Sequence, residues 1–437
     1  YFHFSNEIMR EVVLKEASNV HLQILHRQIA QRMANDSPQD DKAAIIANHY
    51  ILGGDAKKAF PWLLKAAEHA WVLGSQEDAQ IAYQKAEKLT RSGPDILFTN
   101  KDIIKLYRQW SDFAYESHQV DLVEKLGAKL QYIGNRENHP LFLGTAKIIL
   151  SDACFLRLDF ETGLTLLQEG IKNLEIAGNE EALIKAIKRK GVISWWTMNY
   201  DDVELSARQV LELSPKIPLS EELRISLEFN ARHLINMMQY TRGQAASAIQ
   251  TAQTLYNTYF HKLEPFDRLR SLYLIGYSSL IAAEYELCED TTKRALEITR
   301  PLGNGLLEEV LLIILARAEF IQGKLNQAYQ HGLQALKAAE EASRKQNIIA
   351  ANCLLGDVLY SIQNFTAAAQ HYRVAQIREG FSTVSFYGIE NSLHLAHMLA
   401  WTNQVKEARE IIQKYYKVIE KFDLYPHLLS HKFAKFN

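Results

Sequence analysis

A chain of 437 residues is longer than one compact core usually runs, and with 47% hydrophobic residues against only 20 Gly and 9 Pro it suits long helices better than a many-turned sheet. Lys and Arg (49) nearly cancel Asp and Glu (51), and a formal net charge of -2 supplies no global field to draw the chain onto nucleic acid or an anionic membrane. Cys154, Cys288 and Cys353 are odd in number and far apart, which fits buried thiols in a reducing cytoplasm rather than a disulfide framework or zinc site, and no apolar run reaches the roughly 18 residues of a membrane span.

The opening YFHFSNEIMREVV has no basic stretch or cleavage site of a secretion signal, and a start at Tyr1 in place of Met is expected of a fragment of something longer. Residues 1–37 read as a helical junction segment continuing an upstream domain, with apolar Ile8, Val12 and Val13 and then Leu22, Leu25 and Ile29 on two helices. Asn35-Asp36-Ser37-Pro38 supplies a stop and a cap. A first hairpin follows, turning at Gly53-Gly54, with Ala47, Ala56 and Ala59 in its close-packed positions, and a further helix runs to Gly93-Pro94.

From there the chain repeats. Val120, Phe160 and Tyr200 lie 40 residues apart, Ala245 is displaced by five more, and Tyr285, Leu325, Phe365 and Val405 resume the step of 40. Nine residues before each comes a mostly small residue (Ser111, Ser151, Gly191, Asn236, Gly276, Ala316, Gly356, Ala396). Three residues after the last four come Cys288, Ala328, Ala368 and Ala408, so two helices can approach closely around one large side chain. Such a period predicts a helical solenoid, each hairpin burying its apolar face on its neighbours. The five extra residues fall near 214–220, where Pro215 and Pro218 predict a longer loop and a fault in the array. The solenoid is expected over 38–425, with 426–437 a terminal or truncated helix.

The copy NCLLGDVLYSIQNFTAAAQHYRVA places Gly356, Phe365, Ala368, Tyr372 and Ala375 on small, aromatic, alanine, aromatic and alanine positions, and so resembles the tetratricopeptide repeat with longer helices. FSNEIMREVV, LHRQIAQRM and NHYILGGDAKKAFPWLLKAAEHAWVLGSQEDAQIAYQKA together are similar to the junction after the nucleotide-binding core of bacterial signal-transduction ATPases with numerous domains, of the maltose-activator type. That family often starts this junction with phenylalanine-x-histidine; here Asn6 stands in the histidine's place. The resemblance implies an all-α, right-handed superhelical solenoid of about nine hairpins. In function it implies the non-catalytic, effector-sensing arm of a larger ATP-dependent signalling or transcriptional regulator.

In such arrays the first helix of each hairpin lines the concave groove. Five residues before each second helix stand Tyr115, Phe155, Trp195, Tyr240, Leu280, Phe320, Tyr360 and Ala400; three residues earlier stand Asp112, Asp152, Val192, Met237, Tyr277, Arg317, Asp357 and His397. Aromatic side chains offer large contact area at little entropic cost, so Tyr115, Phe155, Trp195, Tyr240, Tyr277, Arg317, Phe320, Asp357 and Tyr360 form a candidate groove for a protein or peptide partner or a small effector. The alternative is that the aromatic column fills the seam between successive first helices. Other readings carry less weight. Lys185, Lys188, Arg189 and Lys190 before Trp195-Trp196 would form a nucleic-acid patch, but a charge run on a repeat helix is usually a solvated face. Asp112 and Asp152 would be paired carboxylates of an enzyme in the concave cavity, yet no nucleophile accompanies them. His394 with His397, and His427 with His431, share helix faces but lack nearby ligands to complete a metal shell. No phosphate-binding, dinucleotide or hydrolase motif is present, so no cofactor is expected.

Overall fold

The computed structural model describes residues 18–35, 40–92, 98–263, 265–299, 305–379, 386–401 and 403–421. The described residues are helical throughout and include no strand. The contacts divide the chain into two compact units, Tyr1–Tyr132 and Ile133–Asn437.

The first unit carries α1 (Asn19–Asn35), α2 (Ala43–Leu52), α3 (Ala56–Val72), α4 (Gln76–Ser92), α5 (Asn100–Glu116) and the start of α6 (Val120–Glu137). Helices α2 and α3 are the hairpin expected at Gly53-Gly54; Gly54 has φ +71, and the Asp55 side chain caps α3 by accepting from the Lys58 amide at 3.1 Å. Thr99 and Asp102 close a reciprocal capping box on α5. Glu87 on α4 ties three helices together, accepting from the Tyr107 hydroxyl (2.8 Å) on α5, from Lys129 Nζ (2.9 Å) on α6 and from Arg91 Nη2 (3.0 Å). Burial works against its charge, but these bonds outweigh it and hold the carboxyl below its ordinary range.

The second unit alternates first and second helices. After α7 (Pro140–Leu156) and α8 (Phe160–Ala177) come α9 (Glu180–Trp196) with α10 (Tyr200–Leu213), then α11 (Glu221–Thr241) with α12 (Ala245–Tyr259). The array continues through α13 (Pro265–Ile281) and α14 (Tyr285–Thr299), α15 (Gly305–Ile321) and α16 (Leu325–Glu341), α17 (Lys345–Ser361) and α18 (Phe365–Glu379), and α19 (Phe386–Trp401) and α20 (Val405–Lys421). Each unit is all-α, and the paired helices of the second form the expected tetratricopeptide-like solenoid.

Second helices are amphipathic with a fixed stripe. On α8 it is Gly163, Leu167, Gly170 and Leu174; on α14, Cys288, Thr292, Ala295 and Thr299; on α16, Ala328, Gly332, Ala335 and Ala339. These positions, spaced four, three and four apart, put one side of the helix against its partners. First helices are buried on most sides, as the run Ile348–Gly356 on α17 shows. Where the two meet, the small column does its work: a Cβ on Gly356 would lie 2.7 Å from Tyr372 Cδ1, and one on Gly276 would lie 2.7 Å from Thr292 Oγ1.

The step of 40 is also a turn geometry. His118, Leu158, Met198, Gly243, Ala283, Gly323, Gln363 and Asn403, each two residues before a second helix, all have positive φ. In each turn the amide of this residue bonds back three residues and the next amide bonds back five, as in Ala283 to Leu280 O (3.2 Å) and Glu284 to Ser279 O (2.9 Å). This is the Schellman closure of a helix C-terminus, and it fixes the aromatic column one turn before the bend.

The five extra residues are absorbed at 214–220 and in α11, which has 21 residues where α9 and α13 have 17. The loop is packed: Ser214 is fully buried and Ile217 is 6% exposed. Residues 1–17 and 422–437, with the expected first junction helix, the terminal helix, His427 and His431, lie outside the described residues.

Candidate functional site

The aromatic column divides by position along the second unit. Phe155 (7% exposed), Trp195 (5%) and Tyr240 (2%) are buried, as is Tyr277 (8%) from the neighbouring column. Their rings meet from repeat to repeat: Trp195 lies edge to face with its chain neighbour Trp196 (5.0 Å) and with Tyr240 of the next repeat (6.4 Å), and Tyr240 lies 4.5 Å from Tyr277, tilted by 40°. Trp195 Nε1 donates to Thr241 Oγ1 (3.3 Å). Groove exposure expected for these four residues is therefore replaced by seam packing. One turn before a Schellman bend, the first helices of adjacent hairpins are near enough for large rings to fill the space between them.

Toward the C-terminal end the same positions open. Arg317, Phe320, Asp357 and Tyr360 are half-buried, as is Tyr115 in the first unit. Tyr360 lies 5.6 Å from Phe365 and 5.4 Å from His397, and Phe365 stacks on Trp401 at 6.5 Å with a 16° interplanar angle. Phe155, Phe160 and Trp196 form the equivalent triad earlier in the array, with Phe160 stacked on Trp196 at 6.0 Å and 15°. The difference is access: Trp196 is half-buried, whereas Trp401 is 64% exposed.

Charged members of the inner column are engaged. Asp357 accepts from the Tyr372 hydroxyl (2.6 Å) and lies 2.7 Å from His394 Nδ1, with 16% of its side chain exposed, so its expected place on a groove floor becomes a brace between α17, α18 and α19. Asp152 pairs with Arg189 at 2.6 Å, both side chains mostly buried, and the guanidinium lies 4.6 Å from the Phe155 centroid. Asp112, in the first unit, pairs with Arg108 at 3.3 Å. Two carboxylates each held by an arginine are not arranged as an acid and a base.

The basic run before Trp195 is likewise consumed locally: Lys185 pairs with Glu181 (2.6 Å), Arg189 with Asp152 and Lys190 with Asp202 (2.7 Å). A patch for phosphates would need these charges displayed, and three of the four are neutralised by neighbours. His394 and His397 act separately, the first beside Asp357 and the second accepting from Trp401 Nε1 (2.9 Å).

Ion pairs also bridge repeats. Glu289 on α14 accepts from Lys293 (2.7 Å) and from Gln322 (2.6 Å) and Lys324 in the following turn. Burial opposes its charge, yet these donors bring its carboxyl down to about 2. Next to it, burial pushes the Cys288 thiol up to about 12, which leaves it a packing residue rather than a nucleophile.

The register missed a set of polar side chains two turns deeper in the first helices. Twelve and fifteen residues before each second helix stand Lys188 and Lys185 on α9, His233 and Asn230 on α11, and Tyr273 and Arg270 on α13. Extending the two inner columns by a further four and three residues finds them.

No family model matches the chain. No curated protein matches it either. Among solved structures, a Rap protein complexed with competence and sporulation factor superposes with a TM-score of 0.55 at 12% identity, over 84% of this chain and 98% of that one. Aspartyl phosphate phosphatase F from Bacillus subtilis gives 0.50 at 12% identity, over 82% and 92%. A signal transduction ATPase with numerous domains and a tetratricopeptide repeat sensor, from Pyrococcus horikoshii, gives 0.48 at 15% identity, over 98% and 67%. At these identities the likeness shows the fold alone, the all-α, tetratricopeptide-like solenoid expected from the sequence.

Proposed function

We propose that the chain is a non-catalytic binding module that holds a peptide segment of a protein partner, or a small effector, along the first helices of its second unit. The observation that carries this reading is the change in packing along one register. Positions filled by enclosed rings at Phe155, Trp195 and Tyr240 are half-open at Phe320 and Tyr360, near Arg317 and His397, and the column ends at Ala400, next to the exposed Trp401. Rigid rings with a few polar neighbours are what anchors an extended or helical segment. The Rap protein that shares this fold was solved with a bound factor, which supports a binding role for the architecture.

The junction residues of the N-terminal stretch support a further step, in which the module is the sensor arm of an ATP-dependent regulator. A cytoplasmic setting is favoured by the three scattered cysteines, two of them buried. No helix among the described residues is long and apolar enough to cross a membrane.

The test is selection of peptides from a displayed library, followed by titration against the wild-type chain and the Phe320→Ala, Tyr360→Ala and Arg317→Glu variants, with circular dichroism as the folding control. Each truncation of an anchor is expected to weaken binding ten-fold or more. Unchanged affinity in all three would remove the groove from these positions.

A further inference from the structure

Two pairs of neighbouring hairpins, five repeats apart, carry one pattern of carboxylate, rings and base. Where α7, α8 and α9 meet, it is Asp152 and Phe155 on α7, Phe160 on α8, and Arg189 and Trp196 on α9. Where α17, α18 and α19 meet, it is Asp357 and Tyr360 on α17, Phe365 on α18, and His394 and Trp401 on α19. In the other pairs from α5 onward the position of Arg189 is aliphatic (Ile149, Leu234, Leu274, Ile314, Leu354), and the position of Trp196 holds no tryptophan.

The first set is closed by its own cation. Arg189 Nε donates to Asp152 Oδ1 (2.6 Å), and the guanidinium reaches on to lie 4.6 Å from the Phe155 centroid, within the range at which a ring face holds a cation. Phe155 meets Trp196 edge to face (6.1 Å, 76°), and Trp196 stacks on Phe160. The second set keeps the carboxylate and the rings but has no arginine. The shorter His394 reaches Asp357 at 2.7 Å and sits edge-on to Tyr372 (5.5 Å, 76°). Arginine is a permanent charge and histidine is not, so Asp152 is neutralised by a fixed cation and Asp357 is not. Around it the rings form a circuit: Tyr360 contacts Phe365 and His397, Phe365 stacks on Trp401, and Trp401 lies edge-on to His397 (6.3 Å, 78°) while donating to its Nε2. Among the described residues no lysine or arginine lies over Tyr360, Phe365 or Trp401.

We infer that Tyr360, Phe365 and Trp401, one turn beyond Asp357, form a pocket for an arginine side chain of the bound segment, in the place that Arg189 fills from within the chain earlier in the array. This rests on the peptide-binding reading and gives the partner a chemistry: an arginine at the C-terminal end of the groove. Tyr360 stands where the first set has Phe155, and tyrosine and tryptophan hold cations better than phenylalanine does. A guanidinium is planar and weakly hydrated, so it lies flat on ring faces that an ammonium meets only as a point charge. Asp357 keeps its contacts with Tyr372 and His394 and favours the cation through space.

Fluorescence anisotropy with labelled, amidated hexaarginine, hexalysine and hexacitrulline tests it, citrulline keeping the shape of arginine without its charge. Hexaarginine is expected to bind about five-fold or more tightly than either other probe, and to lose about five-fold or more in Trp401→Leu, which leaves the net charge unchanged at an exposed position. His394→Arg, which installs the first set's own cation, should lose as much. Circular dichroism checks its folding, and if it does not fold, Tyr360→Leu should weaken binding while Tyr360→Phe restores it. Tyr132→Leu, at an exposed ring outside the pocket, should change nothing. Equal binding of hexaarginine and either other probe overturns the pocket, as does hexaarginine binding indifferent to Trp401→Leu. If display-selected peptides without arginine bind and respond to Phe320→Ala while hexaarginine binds no better than hexacitrulline, the pocket fails and the groove stands. If hexaarginine binds and responds to Trp401→Leu while Phe320→Ala and Arg317→Glu leave every selected peptide unaffected, the pocket stands and the groove fails.

Discussion

Replacing Gly356 with alanine tests a close helix–helix contact between α17 and α18. The added methyl would lie 2.7 Å from Cδ1 and 2.8 Å from Cζ of Tyr372, against the 3.5–4.0 Å or so at which carbons attract, so the ring must retreat by roughly 1 Å. Overpacking of this kind costs about 1–3 kcal/mol. The ring is also tethered: its hydroxyl donates to Asp357 at 2.6 Å, and Asp357 braces His394, so retreat strains a hydrogen bond to a carboxylate worth about 1.5–3 kcal/mol. Alanine regains about 1 kcal/mol of helix propensity over glycine. Because the ring can give up either its packing or its tether, the terms are not fully additive, and the net loss is about 2–3 kcal/mol. Gly163→Ala is the matched control, since its Cβ would meet Cys154 Cβ at 3.4 Å, in ordinary contact; it should be neutral or slightly stabilising. Urea denaturation followed by circular dichroism gives the two midpoints, and hydrogen exchange should place the loss in α17 and α18. A Gly356→Ala chain as stable as the wild type would refute the close approach.

Three more outcomes follow from the packing. Trp195→Ala should cost about 3–5 kcal/mol, because it empties a buried ring position, whereas Trp401→Ala, at an exposed one, should stay within about 0.5 kcal/mol in the same denaturation assay. Ala283→Gly should stabilise by about 1 kcal/mol, since Ala283 is exposed and has φ +63, where glycine has no Cβ to strain; a loss of stability would contradict the Schellman assignment. His233 and His371 are both depressed, chiefly by burial, so below about pH 6.5 the unfolded chain takes up protons that the folded chain refuses. Stability should therefore be full above that pH and fall on acidification toward pH 5, by at most about 1.4 kcal/mol per pH unit per histidine, with a shallower slope in His233→Gln. A flat profile between pH 7 and 5 would contradict both burials.

The repeat was legible because its chemistry is local. A small residue, a large one and a second small one at fixed offsets specify a hairpin wherever they occur, and Gly356 with Tyr372 shows the contact they encode. The turn itself was not legible from residue type, because six of its eight left-handed positions carry His118, Leu158, Met198, Ala283, Gln363 and Asn403 in place of glycine; the hydrogen bonds of the bend hold them there. Exposure of the aromatic column was not legible either. Trp195 and Tyr360 occupy one register position, but whether a ring is enclosed depends on side chains one repeat away, such as Tyr240 beside the first and His397 beside the second. Asp357 read as groove floor because its partners, Tyr372 and His394, lie 15 and 37 residues on, and no short window contains all three.

The central claim is that a partner lies along the first helices of the second unit. Hydrogen-exchange mass spectrometry on the chain saturated with a display-selected peptide tests it most directly. The account predicts slowed exchange in the last turns of α15, α17 and α19, around Phe320, Tyr360 and Trp401, with the second helices α16, α18 and α20 unchanged. Protection confined to those second helices, with the first helices unaltered, would contradict it.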